Sequence, residues 1–130
     1  MIEVTAAIIK DAYGNILICQ RPLNKQLGGL WEFPGGKLES GESLEECIIR
    51  ECQEELALQI KIIKRHSDHY SAPGKEKIHL IFFECQIIRG SMILNEHSDA
   101  KWITPLGLSN FQFCPADHEV VKLLQLPYLH

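Results

Sequence analysis

The sequence predicts a single mixed α/β domain spanning residues 1–130, a curved β-sheet with helices packed on it, and three observations carry that prediction. Short β-rich apolar runs alternate with turn residues along most of the chain. One amphipathic helix is announced by a cap at Ser43, and a second closes the C-terminal end behind Pro115. At 130 residues with 45% hydrophobic and 23% charged side chains, the chain holds one core and is too short for two comfortable ones.

In order, Val4 to Lys10 and Asn15 to Gln20 read as strands, and Asp11 to Asn15 between them carries the turn residues of a hairpin. Residues 22 to 30 lose periodicity and hold Pro22, Asn24, Gly28 and Gly29, a loop. The stretch WEFPGG is a short extended piece broken by Pro34 and two glycines. Ser43-Leu-Glu-Glu46 has the form of a capping box, opening a helix that runs to Leu56 or Ala57. Leu44, Cys47, Ile48, Cys52 and Leu56 form its buried stripe. Ile60 to Tyr70, Lys77 to Ile88 and Ala100 to Ile103 are further strands. Pro73-Gly74-Lys75 supplies a hairpin turn, and Arg89-Gly90 marks a break. A last helix begins at Pro115 and runs through Val120, Val121, Leu123 and Leu124 until Pro127. No repeat, low-complexity tract or linker interrupts the domain.

Composition narrows the function classes. A net charge of −4 argues against a partner that is a nucleic-acid polymer, which asks for a basic face. The five cysteines, Cys19, Cys47, Cys52, Cys85 and Cys114, stand singly, with neither disulfide nor zinc spacing, so a reducing compartment, the cytoplasm, is expected. The first ten residues hold only a short apolar run containing Glu3, and neither a secretory leader nor a membrane span is expected.

The acidity is concentrated. Between Gly36 and Leu58 seven glutamates face only Lys37 and Arg50, a local charge of −5 that leaves the rest of the chain at +1. On a helix turning 100° per residue, Glu51, Glu54 and Glu55 fall within an arc of about 100° beside the buried stripe. Partly buried, each pair at about 5 Å costs roughly 3 kcal/mol at an effective dielectric near 20. Hard divalent ions such as Mg²⁺ or Mn²⁺ relieve that cost, since they prefer carboxylate and water oxygens. A solvated acidic helix face is the alternative.

The surrounding letters decide between them. From Gly36 the chain reads five residues, Glu42, seven residues, then Arg50-Glu51-Cys52-Gln53-Glu54-Glu55-Leu56-Ala57-Leu58. This resembles the Nudix box, G-x(5)-E-x(7)-R-E-U-x-E-E-x-G-U with U a bulky apolar residue. Six fixed letters agree in one register, an accident expected in about one in 10⁴ to 10⁵ sequences of this size. Ala57 departs from the glycine of the pattern. A left-handed residue suits that helix end, so alanine implies modest strain or a different exit. LWEFPGGKLE, QRP at Gln20 to Pro22, and FCPADHEVVKLL also look like the MutT-type branch of nucleoside triphosphate pyrophosphohydrolases.

The resemblance implies a Nudix fold, an α/β/α sandwich with a curved mixed sheet between helices. It implies hydrolysis of a nucleoside triphosphate to monophosphate and pyrophosphate with Mg²⁺, or Mn²⁺ in its place. Carried over, the metal ligands are Gly35, by its carbonyl, and Glu51, Glu54 and Glu55, with Glu96 as the outlying glutamate six residues before Trp102. A solvated loop is the competing reading of Glu96. Glu54 is the candidate general base, Arg50 orients the carboxylates, Glu42 is the accessory acid, and Lys37 and Arg21 meet phosphates. Asp117, in the PA-(N/D) position, meets the base or charges the helix start. Phe33, Trp31 and Phe83 are candidate lining or core aromatics. Asp117 leaves an oxidised purine, 8-oxo-dGTP first, and cytosine-type triphosphates both open. Monomer and homodimer are both open. A nucleotide-sensing module without catalysis would be expected to have a damaged box, whereas Arg50, Glu51, Glu54 and Glu55 are all present.

Overall fold

Two unbroken apolar runs near the N-terminus decide the architecture. Ala6 to Ile9 and Ile16 to Cys19 are buried at every position, so the strands that contain them, β1 (Ile2–Ile9) and β2 (Ile16–Gln20), are covered on both faces. The computed structural model describes residues 1–72, 74 and 76–129. Its further elements are β3 (Trp31–Glu32), β4 (Gly35–Lys37), α1 (Leu44–Leu56), β5 (Gln59–Ser71), β6 (Ile78–Arg89), β7 (Asp99–Ile103) and α2 (His118–Gln125).

β1 lies inside a mixed four-stranded sheet of order β4-β1-β6-β5, parallel to β6 and antiparallel to β4. β2 lies at the centre of an antiparallel three-stranded sheet of order β3-β2-β7. This corrects the expected hairpin. The turn forms, with the Asp11 carboxylate accepting from the N–H of Tyr13 and Asn15 at 2.9 Å each, but β1 and β2 share only the bridge Lys10↔Ile16. A strand that is apolar on both faces needs covering layers on both. Separating the two gives each a sheet whose faces are both used.

The pleat then sorts side chains between two cores. Ala6, Ile8, Ile16 and Ile18 pack with Phe82, Val120 and Leu124 beneath α2. Ala7, Ile9, Leu17 and Cys19 pack with Ile48, Cys52 and Leu56 beneath α1. The helices therefore cover opposite faces, as the α/β/α expectation requires.

Helix α1 starts where the capping box places it. The Ser43 hydroxyl accepts from the Glu46 N–H at 3.1 Å, and the Glu46 carboxylate accepts from the Ser43 N–H at 2.8 Å. Such a cap is worth about 1 kcal/mol. At the other end Ala57 adopts φ 56° and ψ 32° and donates its N–H to the Gln53 carbonyl at 3.0 Å. Alanine thus takes the left-handed exit and carries its strain, about 1–2 kcal/mol for a residue with a Cβ.

The last helix is shorter than expected. Pro115–Asp117 forms a separate 3₁₀ turn before α2, and Pro127 sits inside another, Leu126–Tyr128, where its missing N–H costs nothing. The expected turn at Pro73-Gly74-Lys75 falls on Pro73 and Lys75, which lie outside the described residues. Among the described residues, no helix is long and apolar enough to cross a membrane.

Replacing Ala57 by glycine is expected to raise unfolding stability by about 0.5–1 kcal/mol, the strain relieved less the greater freedom of the unfolded glycine. Urea unfolding of the two proteins under identical conditions checks this; equal midpoints would show that the left-handed exit is unstrained.

Candidate active site

The site is built where β4 crosses the side of α1. Gly35 pairs with Ala6 so closely that a Cβ would lie 1.9 Å from the Thr5 carbonyl oxygen, and only glycine fits. Its N–H donates to the Glu55 carboxylate at 3.0 Å. At Gly36 a Cβ would stand 2.5 Å from the Glu51 carboxyl group. The two glycines thus let the backbone of the loop approach both carboxylates.

Arg50 gathers the acids. Its guanidinium lies 2.7 Å from Glu42, 2.9 Å from Glu51, 3.1 Å from Glu54 and 3.3 Å from Glu39, and it also donates to the Lys37 carbonyl at 3.2 Å. Hydrogen bonds from Arg50 hold Glu42 down at about 2. Glu51 and Glu55 behave differently. Burial raises the Glu51 carboxyl against the pull of Arg50, and burial pushes Glu55 up to about 8 against its bond from Gly35. Glu54, 58% exposed, is the most open to water of the three helix acids Glu51, Glu54 and Glu55.

Two pockets meet in front of this cluster. One, of about 320 Å³, is lined by Gly35, Gly36, Lys37, Glu55, Glu96 and His97. The other, of about 250 Å³, is lined by Ala6, Phe33, Leu80, Cys114, Ala116 and Asp117. Val4, Arg21, Glu32 and Gly35 belong to both, so the pockets form one cleft with an acidic end and an aromatic end. At the aromatic end Phe33 stacks on Phe113 with ring centroids 5.6 Å apart. Asp117 is buried and makes no helix-cap bond. Burial first and the Glu32 charge second drive its carboxyl well above the usual carboxylate range.

The structure brings Gly35, Glu55, Glu96 and Lys37 to one pocket, Phe33 and Asp117 to the other, and Arg21 to their shared wall. Glu51, Glu54, Arg50 and Glu42 lie on the helix side of the acidic end. Arg21 is already engaged, with Nε on the Gln26 carbonyl at 2.8 Å and a terminal nitrogen 3.2 Å from Glu32. Glu96 pairs with Lys25 at 2.7 Å across the cleft. Among the described residues no three His, Cys, Asp or Glu side chains form a finished metal cage; each acid is engaged by a cation or an N–H.

One expectation is corrected. Phe83 belongs to the core beneath α1 and lines neither pocket, because the pleat turns it to the face opposite Phe82. Trp31 takes the core alternative, edge-on to Phe111 at 5.2 Å. Sequence reasoning missed Glu32, Lys25, Asn95 and His97. Asn95 takes the Glu55 carbonyl with its N–H at 3.0 Å and the Glu54 carbonyl with its side-chain amide at 2.9 Å. Only the WEFPGG stretch gave a signal for Glu32, which is the acid directly before Phe33.

Acidic oxygens at one end of a cleft and an apolar slot at the other define the site of an enzyme for a small charged molecule. The chain belongs to the NUDIX family, whose domain model it matches over residues 2–124, and it is a Nudix hydrolase. It is 36% identical over 117 residues to the CTP pyrophosphohydrolase of Escherichia coli K12, covering 90% of this chain and 86% of that protein. It is 28% identical over 125 residues to the 8-oxo-dGTP diphosphatase of the same organism, covering 95% and 96%. The solution structure of the E. coli ORF135 protein superposes with a TM-score of 0.85 at 32% identity, over 98% of this chain and 91% of that one.

A Gly36→Ala substitution is expected to lower turnover at least about tenfold while shifting stability by less than about 1 kcal/mol, because the new methyl displaces a flexible carboxylate rather than backbone. Steady-state kinetics beside thermal unfolding checks this, and full activity would remove Gly36 from the site.

Proposed function

We propose that this Nudix hydrolase converts a nucleoside triphosphate to the monophosphate and pyrophosphate with a divalent ion of the magnesium type, and that its preferred base is of the cytosine type. The observation that carries the base choice is the position of Asp117, buried in the lining of the aromatic end, where burial and the Glu32 charge shift its carboxyl towards the protonated form. A protonated acid offers one donor and one acceptor side by side, the complement of cytosine N3 and its N4 amine. The relative named CTP pyrophosphohydrolase supports the same ranking. The second reading, 8-oxo-dGTP, asks for an ionised Asp117 accepting from the N1–H and amino group of the guanine face; relatives named 8-oxo-dGTP diphosphatase favour it.

The donor set fits a hard cation. Glu51, Glu54 and Glu55, the Gly35 carbonyl and Glu96 all offer oxygen donors, and Glu55 is a half-buried acid with no cation paired to it among the described residues. Such an ion, when bound, neutralises phosphate oxygens and acidifies water. The chain's own groups do the rest. Arg50 fixes Glu51 and Glu54 through charge-assisted hydrogen bonds. Glu54, the exposed member, takes the proton of the attacking water. Lys37 and Arg21 meet the phosphate chain, and Phe33 walls the base.

Turnover of CTP is expected to exceed that of 8-oxo-dGTP, with pyrophosphate as co-product and loss of activity on chelation. Glu54→Gln is expected to lower kcat at least about a hundredfold. Product analysis by chromatography decides; release of orthophosphate would overturn the reaction proposed.

Asp117→Asn separates the base readings. Asparagine keeps one donor and one acceptor, so CTP turnover should stay within about threefold, whereas Asp117→Leu should cost about 10–100-fold. The sign with pH follows from the raised carboxyl: the productive protonated form is lost as pH rises through its pKa, so CTP turnover falls on the alkaline side, and asparagine removes that limb. Loss of CTP turnover in Asp117→Asn would favour the ionised reading.

A further inference from the structure

We propose that His97 is a positioning residue for base selection, holding the Glu32 carboxylate at the wall shared by the two pockets. The inference deepens the proposed function and rests on its reading of the aromatic end as the base pocket. Four consecutive residues of the segment before β7 each tie a different part of the chain around the cleft. Asn95 holds the Glu54 and Glu55 carbonyls, Glu96 meets Lys25, His97 meets Glu32, and Ser98 donates its N–H to the Gln20 carbonyl at 3.0 Å. Of these, only the His97 bond ends on a side chain that lines both pockets.

The His97 side chain is 3% exposed, and its Nε2 lies 2.9 Å from a Glu32 oxygen. Its Nδ1 is buried and has no partner among the described residues. Leaving such an atom unpaired costs about 1–3 kcal/mol. The imidazole is therefore kept in place for one polar contact alone. A ring whose role was only to fill space would be better replaced by a leucine, which carries no such cost.

Glu32 needs that contact because of its position. Arg21, the residue after β2, reaches its other oxygen at 3.2 Å, so the carboxylate is pinned between donors from two separate parts of the chain. With the His97 side removed, the carboxylate is free to rotate about the Arg21 contact, away from the polar wall it forms with Asp117 and Arg21. Base selection, which depends on the donor and acceptor pattern of that wall, is what should be lost.

The test compares His97→Leu, which keeps volume and removes the donor, with His97→Gln, which restores a donor at similar reach. The readouts are the ratio of kcat/KM for CTP to that for 8-oxo-dGTP, the Mg²⁺ concentration for half activity, and the affinities of the metal-free protein for CMP and 8-oxo-dGMP by calorimetry. His97→Leu is expected to shrink the CTP preference and the CMP preference at least about fivefold, the value of one hydrogen bond, with the Mg²⁺ requirement within about twofold. His97→Gln is expected to return both ratios to within about twofold of the parent. A leucine variant with both preferences intact, or with all substrates weakened equally, overturns the role of His97. A parent protein that binds neither monophosphate overturns the base pocket itself, and the His97 role with it.

Discussion

Arg50 is the contact on which the site depends. Four glutamates from the box and its approach, Glu39, Glu42, Glu51 and Glu54, lie within 3.3 Å of one guanidinium. Without it, the helix face would bring together several like charges at a cost of kilocalories per mole for each half-buried pair. The planar guanidinium fork is suited to this, since it presents several donors in fixed directions to carboxylates on both sides. It leaves Glu55 out. That acid lies against the Gly35 N–H, half-buried and with no cation paired to it among the described residues.

The second constraint is the close approach of β4 to its neighbours. Gly35 sits against Thr5 with no room for a side chain, and Gly36 leaves space that the Glu51 carboxyl occupies. A strand of three residues is a weak element by itself, but here it is clamped between β1 and α1. The acidic end is therefore rigid where its oxygens converge. Its outer wall is made of loops joined by the exposed Lys25–Glu96 pair, a contact worth little against water and easily exchanged for a phosphate or an ion.

The sequence was most informative where a local rule coincided with the tertiary arrangement. The Ser43 cap and the Cys47, Ile48, Cys52 and Leu56 stripe follow from helix chemistry alone and appear as expected, and of the two exits left open for Ala57 the chain takes the left-handed one. The pairing of β1 and β2 did not follow, because an apolar run buried on both faces does not reveal which strand lies beside it. Phe83 and Trp31 illustrate the same limit: an aromatic in a strand is assigned to a face only once the register is known. His97 and Asn95 were hidden for another reason. Their partners, Glu32 and the Glu54 and Glu55 carbonyls, are 40 or more positions away, and no spacing rule reaches that far.

The central claim is that Glu51, Glu54 and Glu55 and the Gly35 loop hold a divalent ion beside the phosphates. The most direct measurement is titration of Mn²⁺ into the metal-free protein with a non-hydrolysable triphosphate analogue, following the free-ion signal by electron paramagnetic resonance. The account predicts saturable binding that Glu55→Gln weakens at least about tenfold while the fold is retained, since one carboxylate ligand is lost. Equal Mn²⁺ affinity in the parent and in Glu55→Gln would contradict it.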